Sequence, residues 1–327
     1  MKNKIVVCWL VVGFICGSVS AVQVFDPDYI VKTYVSYSQP AELSRGMTFD
    51  SDGNLYVTYS SSGTIDVITP DKNITQLASG MTDPRSVVWA GGSDYDNYLY
   101  VADHAGSGVG RIAKVSLAGV VTTFASLNSP QGLGLDRVGT YGGYLYTGPR
   151  VSDHIDRILP NGELQLFSDF PYGMPGGPCD FTFDPGIDYG GFMYVGTDSI
   201  NDVAWRGVHS IDINGNPTRF APDIVEASQI MFDYGDMFDN KLFIGGRRDS
   251  SNPWEIWRAE PDGTTTLFAT GTVSSTHTFT FGSDGAMYVH EAANDVVTIS
   301  RVSLIPEPAT ILLLALGGLA LIKKRRE

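Results

Sequence analysis

The sequence predicts an all-β fold, a six-bladed β-propeller whose blades each contain four strands. A triplet with an aromatic residue between two hydrophobic or small neighbours recurs six times, and polar turns rich in Gly and Asn separate it from alternating strands on either side. The central aromatic residues are Tyr56, Tyr100, Tyr146, Tyr194, Phe243 and Tyr288, which are spaced 44 to 49 residues apart. This period is the length of a four-stranded propeller blade. No long helical pattern occurs between residues 22 and 303, which we interpret as one domain.

Each repeat has the same order of strands and turns. An alternating strand that often ends in Asp, such as 47–50, precedes the triplet, and a third strand, a hairpin turn and a fourth strand follow it. The sixth repeat lacks a fourth strand, whereas residues 29–35 near the other end have the pattern of one. We therefore expect the N-terminal strand to close the last blade, because closure removes the exposed edges of an open stack.

The first 21 residues have the features of a secretory signal peptide. Lys2 and Lys4 precede a hydrophobic run that ends at Cys16, and the small residues Val19 and Ala21 follow. The run is too short for a membrane anchor, which is the alternative, so we expect cleavage near Ala21. Only Cys179 then remains, and an exported chain with one thiol forms no internal disulfide.

The C-terminal residues contain three features in a fixed order. Pro306, Glu307 and Pro308 precede 14 uncharged residues at 309–322, which we predict to be a short transmembrane helix, and a basic cluster ends the chain. A helix of that length measures about 21 Å, so a permanent tail anchor is the alternative to brief spanning. The arrangement resembles the PEP-CTERM sorting tail, here 304–327. The resemblance implies export by a Gram-negative bacterium that makes extracellular polysaccharide, and cleavage by an exosortase that recognises Pro306, Glu307 and Pro308.

The charge of the chain excludes some partners. The full sequence has a net charge of −14, and the part without the leader and the last five residues keeps 16 basic and 35 acidic side chains, a net charge of −19. Such a body repels nucleic acid and anionic membranes, so we expect contact with a membrane only through the C-terminal helix before processing. Attraction of divalent cations and simple solubility are both consistent with this charge.

Candidate site residues follow from aligning the repeats. In each repeat we take the position four residues before the last large hydrophobic residue of the first strand. These positions lie at the entrance of the predicted channel, and the loops that leave the second strands lie at the same end. For a ligand at the channel mouth this alignment proposes Arg45, Arg85, Gln131, His277, Arg150 and Arg247, together with Cys179 and Ser228. Asp103, Asp198 and Glu291 are candidate ligands of Ca²⁺, which prefers carboxylate and carbonyl oxygens. Mutual pairing of these charges is the alternative.

The whole mature chain resembles the NHL and SMP-30-like propeller group, a fold that does not by itself specify an activity. Our first interpretation is an exported surface or extracellular-matrix propeller that binds polysaccharide, a surface protein or a cation without catalysis. The alternative, implied by similarity to lactonase-type propellers, is a calcium-dependent hydrolase or lyase that uses the carboxylates at the channel mouth. The sequence contains no G-x-S-x-G elbow, and Asn294 replaces the second histidine of a zinc-protease motif at His290, so no catalytic residue is assigned.

Overall fold

The six-bladed β-propeller predicted from the repeats is present. A computed structural model describes residues 22–39, 44–106, 108–150, 154–169, 177–186, 188–198, 206–249, 252–271, 278–293 and 295–306. Within these residues, six antiparallel sheets surround a central channel; five of them contain four strands, and one contains a fifth strand from the N-terminus. Hydrophobic side chains between neighbouring sheets form the core, as expected for blades that cannot bury their faces alone.

The strands are short and regularly spaced. In chain order they are β1 (Gln23–Val24), β2 (Tyr29–Ser38), β3 (Ser44–Phe49), β4 (Leu55–Tyr59), β5 (Thr64–Ile68), β6 (Ile74–Ala78), β7 (Pro84–Trp89), β8 (Leu99–Asp103), β9 (Val109–Val115), β10 (Val121–Asn128), β11 (Pro130–Leu135), β12 (Leu145–Pro149), β13 (His154–Ile158), β14 (Leu164–Asp169), β15 (Pro178–Phe183), β16 (Met193–Thr197), β17 (Gly207–Ile211), β18 (Pro217–Ala221), β19 (Glu226–Phe232), β20 (Leu242–Arg247), β21 (Glu255–Ala259), β22 (Thr265–Thr270), β23 (Thr278–Phe281), β24 (Met287–Ala293) and β25 (Val296–Leu304). Blades 1 to 5 begin at β3, β7, β11, β15 and β19, and blade 6 begins at β23.

The N-terminal strand closes the ring, as the sequence predicts. Strand β2 pairs antiparallel with β25 along its whole length, from Tyr29 opposite Leu304 to Ser38 opposite Val296. Blade 6 therefore combines β23, β24 and β25 from the end of the chain with β2 from its beginning. This pairing is the clasp that joins the two ends of the domain.

A further N-terminal contact lies outside the repeat pattern. Strand β1 adds a fifth strand to blade 5, where Gln23 pairs with Thr270 and Val24 with Ala269. Val22 is buried in the core cluster shared by blades 5 and 6. The first residues after the predicted leader thus contribute to both of the last two blades.

Tyrosines in the first turns of the middle blades connect each blade to the next. The hydroxyl of Tyr141 in blade 3 donates to the carbonyl of Ile211 at 2.6 Å and accepts from the amide of Met193 at 2.8 Å, both in blade 4. Tyr189 makes the corresponding bonds to Ala259 and Leu242 in blade 5. These bonds use backbone groups in the second and third strands of the neighbouring blade.

Removal of one such hydroxyl is expected to destabilise the protein measurably. Tyr141→Phe leaves a buried amide and a buried carbonyl without this partner, which we expect to lower the free energy of unfolding by about 1–3 kcal/mol. Urea unfolding of the variant measures the change. Tyr144→Phe is the matched control, because no hydrogen bond of the Tyr144 hydroxyl is made within the described residues; an equal effect of both substitutions would contradict the assignment.

The innermost strands contact one another closely around the channel. A methyl group at Gly46 would lie 2.4 Å from the carbonyl oxygen of Arg85 in the next blade, so glycine is required for this approach. In blade 5, Gln229 bonds both the amide and the carbonyl of Phe279, at 2.9 and 2.6 Å. The Thr278 hydroxyl donates to the carbonyl of Ser44 at 2.8 Å and so connects blade 6 to blade 1.

The last strand of the domain leads away from the end of the channel at which Thr278 lies. Strand β23 begins at Thr278 and ends at Phe281, which pairs with Met287, and Met287 pairs in turn with Val302 of β25. The last strand therefore runs toward the end of the channel that lies opposite Thr278. Among the residues described, no helix has the length and hydrophobicity needed to cross a membrane. The predicted helix at 309–322 lies outside the described residues.

Candidate ligand-binding site

Most residues proposed for the channel mouth converge on one pocket, which we call the mouth pocket. Its volume is about 320 Å³. It is lined by Arg45, Arg85, Gln131, Arg150, Cys179, Asp198, Glu226, Ser228, Gln229, Arg247, Trp254 and Thr278. The convergence has a simple origin: the first residues of the innermost strands point to one end of the channel, and the loops after the second strands surround that end. His277 lies outside the described residues, although its neighbour Thr278 lines the pocket.

The positive charge of Arg85 is neutralised, and its side chain is held in place, by a carboxylate directly before its own strand. Its guanidinium donates two hydrogen bonds to one oxygen of Asp83, at 3.1 and 3.0 Å from Nε and Nη2. Nδ1 of His104 lies 3.2 Å from the same oxygen. Although burial opposes ionisation, the hydrogen bonds of His104 and Arg85 and the charge of Arg85 hold the pKa of the Asp83 carboxyl well below its usual range.

Arg247 is also paired, and it adds an aromatic wall. Its Nη2 lies 2.6 Å from Oε2 of Glu226, a residue that is 6% exposed, and its Nε donates to the same oxygen at 2.8 Å. The guanidinium carbon lies 5.3 Å from the centre of the Trp254 ring. The mouth pocket thus presents an indole beside a fixed cation, an arrangement suited to a flat apolar surface next to an anion.

Arg45 differs from both of these arginines. It makes no ion pair or hydrogen bond with any described residue, and its Nε is buried without a partner. Burial and the positive charge of Arg85 lower the pKa of Arg45. A partly buried guanidinium without a partner is costly, so this side chain is a strong candidate to receive an anion.

The opposite wall contains an amide, a thiol and a carboxylate. Nε2 of Gln131 lies 3.2 Å from Oδ2 of Asp198 and 3.1 Å from Sγ of Cys179, whereas its Oε1 is buried without a partner among the described residues. Burial and the charge of Asp198 raise the pKa of the Cys179 thiol well above its usual value. The thiol therefore remains protonated and is a poor nucleophile at neutral pH.

The three carboxylates proposed for calcium are not brought together. Asp198 lines the mouth pocket, but Asp103 accepts from the amides of Thr82 and Asp83 at 2.7 and 3.1 Å and pairs with Arg111 at 2.9 Å. Glu291 is buried on β24 and does not line the pocket. Within the described part of the chain, no group of three or more His, Cys, Asp or Glu side chains is placed to hold a metal ion.

Four residues of the pocket are absent from the sequence prediction. They are Glu226, Gln229, Trp254 and Thr278. Glu226 lies two residues before the aligned position Ser228, so the alternation of a strand could have identified it. Trp254 lies in a loop whose length differs from the other repeats, and alignment of the repeats gives no signal there.

Comparisons with known proteins bear on the end of the chain and on the fold. The protein-family model described as the PEP-CTERM protein-sorting motif matches residues 304–326. This chain carries a PEP-CTERM sorting motif. The motif implies an exported protein that an exosortase processes at the envelope or surface of a bacterial cell. Comparison with curated proteins gave no match.

Solved structures share the propeller fold at low sequence identity. A gluconolactonase from Xanthomonas campestris has a TM-score of 0.62 and 13% identity, over 87% of this chain and 95% of that chain. A calcium-binding regucalcin from Agrobacterium tumefaciens has a TM-score of 0.56 and 14% identity, over 83% and 94%. A virginiamycin B lyase from Staphylococcus aureus has a TM-score of 0.56 and 13% identity, over 85% and 100%. The first two neighbours are of the SMP-30 and gluconolactonase type, and at these identities the similarity shows the fold alone.

The sorting motif begins where the propeller ends. Leu304 is the last residue of β25, and the amide of Ile305 donates to the carbonyl of Asp28 at 2.8 Å. Pro306 follows directly, whereas Glu307 and Pro308 lie outside the described residues. The motif therefore leaves blade 6 without an intervening linker, at the end of the channel opposite the mouth pocket.

Proposed function

We propose that this protein is an exported, non-enzymatic binding module whose mouth pocket takes the anionic group of an extracellular ligand. The observation that carries the proposal is Arg45, a partly buried guanidinium at the mouth with no partner in the described residues. Carboxylate and sulfate groups match guanidinium geometry. Acidic polysaccharide of the cell surface carries such groups and is one source of the ligand, in agreement with a sorting motif that implies export.

The charge balance of the pocket supports this choice. Four arginines and two carboxylates line it, in a protein whose body has a large excess of acidic groups. Asp83 forms an ion pair with Arg85, and Glu226 forms one with Arg247. These pairs hold both guanidinium groups in fixed positions. An incoming anion would replace the repulsion between Arg45 and Arg85 by attraction.

Replacement of Arg45 is the direct test. We expect Arg45→Met to weaken binding of oligoglucuronate and sulfate at least about tenfold, because one charge-assisted hydrogen bond contributes about 1.5–3 kcal/mol. Titration calorimetry of both ligands at low and high salt measures this loss. The same substitution is expected to raise the melting temperature, since it removes a desolvated charge.

The control for this test is Arg157→Met, on an outer strand away from the mouth pocket. It is expected to leave binding unchanged. Unaltered affinity in Arg45→Met, with the melting temperature of the native protein, would contradict the proposal. A lowered melting temperature together with lost binding would indicate a structural role for Arg45 instead.

The calcium-dependent alternative predicts that the mouth pocket binds a cation instead of an anion. Among the described residues, the carboxylates that line the pocket are Asp198 and Glu226. Glu226 forms an ion pair with Arg247, and the four arginines of the pocket repel a cation. Calcium prefers six to eight oxygen ligands. We therefore expect millimolar calcium, compared with a chelator, to leave the melting temperature unchanged. A stoichiometric calcium site that is lost in Asp198→Asn would restore the alternative.

A further inference from the structure

A second cavity lies directly below the mouth pocket, and we call it the channel cavity. It has a volume of about 720 Å³ and is enclosed by the innermost strands of the six blades and the turns that follow them. Arg45, Cys179, Ser228 and Gln229 line both cavities, so the two spaces meet at the level of these residues. Arg45 therefore stands at the boundary between the cationic mouth and the channel.

The polar side chains in the wall of the channel cavity are already used by the propeller itself. The Ser86 hydroxyl donates to the carbonyl of Leu133 at 3.1 Å, and Gln229 bonds both backbone groups of Phe279. Oγ1 of Thr182 accepts from the amide of Phe232 at 3.3 Å, and Oδ2 of Asp180 accepts from the amide of Ile230 at 3.1 Å. Each of these bonds joins one blade to the next. A ligand in the channel cavity would have to break blade contacts to hydrogen-bond these groups.

The middle of the remaining wall is apolar, and the charged residues of the lining lie at its far end, where each is bonded within the propeller: Asp50, Arg137 and Asp284. Phe49, Val88, Met231 and Phe281 are partly exposed and line the cavity, and the aromatic ring of Tyr234 lies at its far end. Burial raises the pKa of Asp180, which favours its neutral form in this space. Along this middle section an apolar group can therefore be placed without leaving a fixed charge dry.

We infer that the channel cavity takes an apolar chain whose anionic end group is held by Arg45, so that the ligand is an anionic amphiphile. This inference rests on the proposed function, because it uses the same arginine, and it narrows the ligand from anions in general to those attached to a hydrocarbon chain. A fatty acid and an acidic glycolipid share this chemistry. An acidic polysaccharide would use the mouth pocket alone.

A series of n-alkyl carboxylates tests the inference on the processed protein recovered from the producing cells. Acetate, hexanoate and decanoate, each below its micelle concentration, are titrated by calorimetry, with alkyl glucuronides of the same lengths to compare the two sources of ligand. We expect affinity to rise about fourfold for each methylene buried, until the cavity is filled. Val88→Phe should reduce the affinity for decanoate at least tenfold and leave acetate unchanged. Val120→Phe, at an exposed turn, is the matched control.

The outcomes separate the inference from the proposed function. If affinity does not depend on chain length, or if Val88→Phe and Val120→Phe bind decanoate equally, the inference is wrong, while loss of glucuronate binding in Arg45→Met would still support the proposed function. If chain length matters but Arg45→Met has no effect on any ligand, the arginine assignment fails. An equal gain with chain length in all variants would indicate adsorption to the outer surface and would overturn the inference.

Discussion

A protein that lacks residues 22–38 is expected to lose cooperative folding. Deletion removes β1 and β2 together, and with them the strand that pairs with the outer edge of β25, whose other edge pairs with β24. It also removes Tyr29, whose ring stacks on Phe238 at 4.8 Å and contacts Phe268 edge-on, and the hydrogen bond between Tyr37 and Tyr59 that links β2 to blade 1. The ring would then have an unpaired edge on blade 6 and no clasp between its two ends.

Circular dichroism during thermal unfolding measures this effect. The control is a circular permutant in which residues 29–38 follow Leu304 through a short turn, since Tyr29 lies opposite Leu304 and an antiparallel hairpin can join them. This permutant lacks β1, so it isolates the contribution of β2. The permutant is expected to melt cooperatively. A truncated protein that melts cooperatively at the temperature of the native protein would show that closure by β2 is not needed.

Asp180→Asn is expected to stabilise the protein, and increasingly so as the pH rises. Burial raises the pKa of Asp180 to about 8, and its carboxyl accepts one bond from the amide of Ile230. Because the folded pKa is above the unfolded value, the folded state binds the proton more tightly. Stability is therefore highest at or below about pH 4 and declines as the pH rises from there to about 8.

The size of this effect is large for one side chain. At pH 7 the cost of the native aspartate is at most roughly 4 kcal/mol, and asparagine keeps an oxygen that can accept from Ile230 without a charge. Urea unfolding at several pH values between 5 and 8 measures the difference between the two proteins. Asp223→Asn, at an exposed carboxyl, is the control. A stability difference that does not change with pH would show that Asp180 is not the group responsible.

Residues 22–38 and Asp180 lie in different parts of the ring. Residues 22–38 hold its outer edge, whereas Asp180 lies on an innermost strand and faces the next blade. Asp180 occupies the position held by Gly46 in blade 1 and by Gln229 in blade 5, which contact the following blade by close approach and by paired hydrogen bonds. An ionisable residue at such a position is destabilising in its charged form.

The sequence alone determined the number of blades, the closure by residues 29–35 and the end of the channel at which Arg45, Arg85, Gln131, Arg150 and Arg247 meet. These features depend on local periodicity, because each blade repeats the same strand order and an equivalent residue in each repeat reaches the same place. Tertiary structure decided which charges remain uncompensated at that place. Asp83 pairs with Arg85 and is contacted by His104, Glu226 pairs with Arg247, and Asp103 pairs with Arg111.

The tyrosine bonds between blades depend on tertiary structure for the same reason. Tyr141 meets Met193 and Ile211, which lie 52 and 70 residues later in the chain. A periodic pattern shows that each residue lies on a strand or in a turn, but the depth at which neighbouring blades interlock sets which atoms touch. Pairing of a charge or a hydroxyl depends on distances of a few ångströms, and only the packed ring fixes those distances.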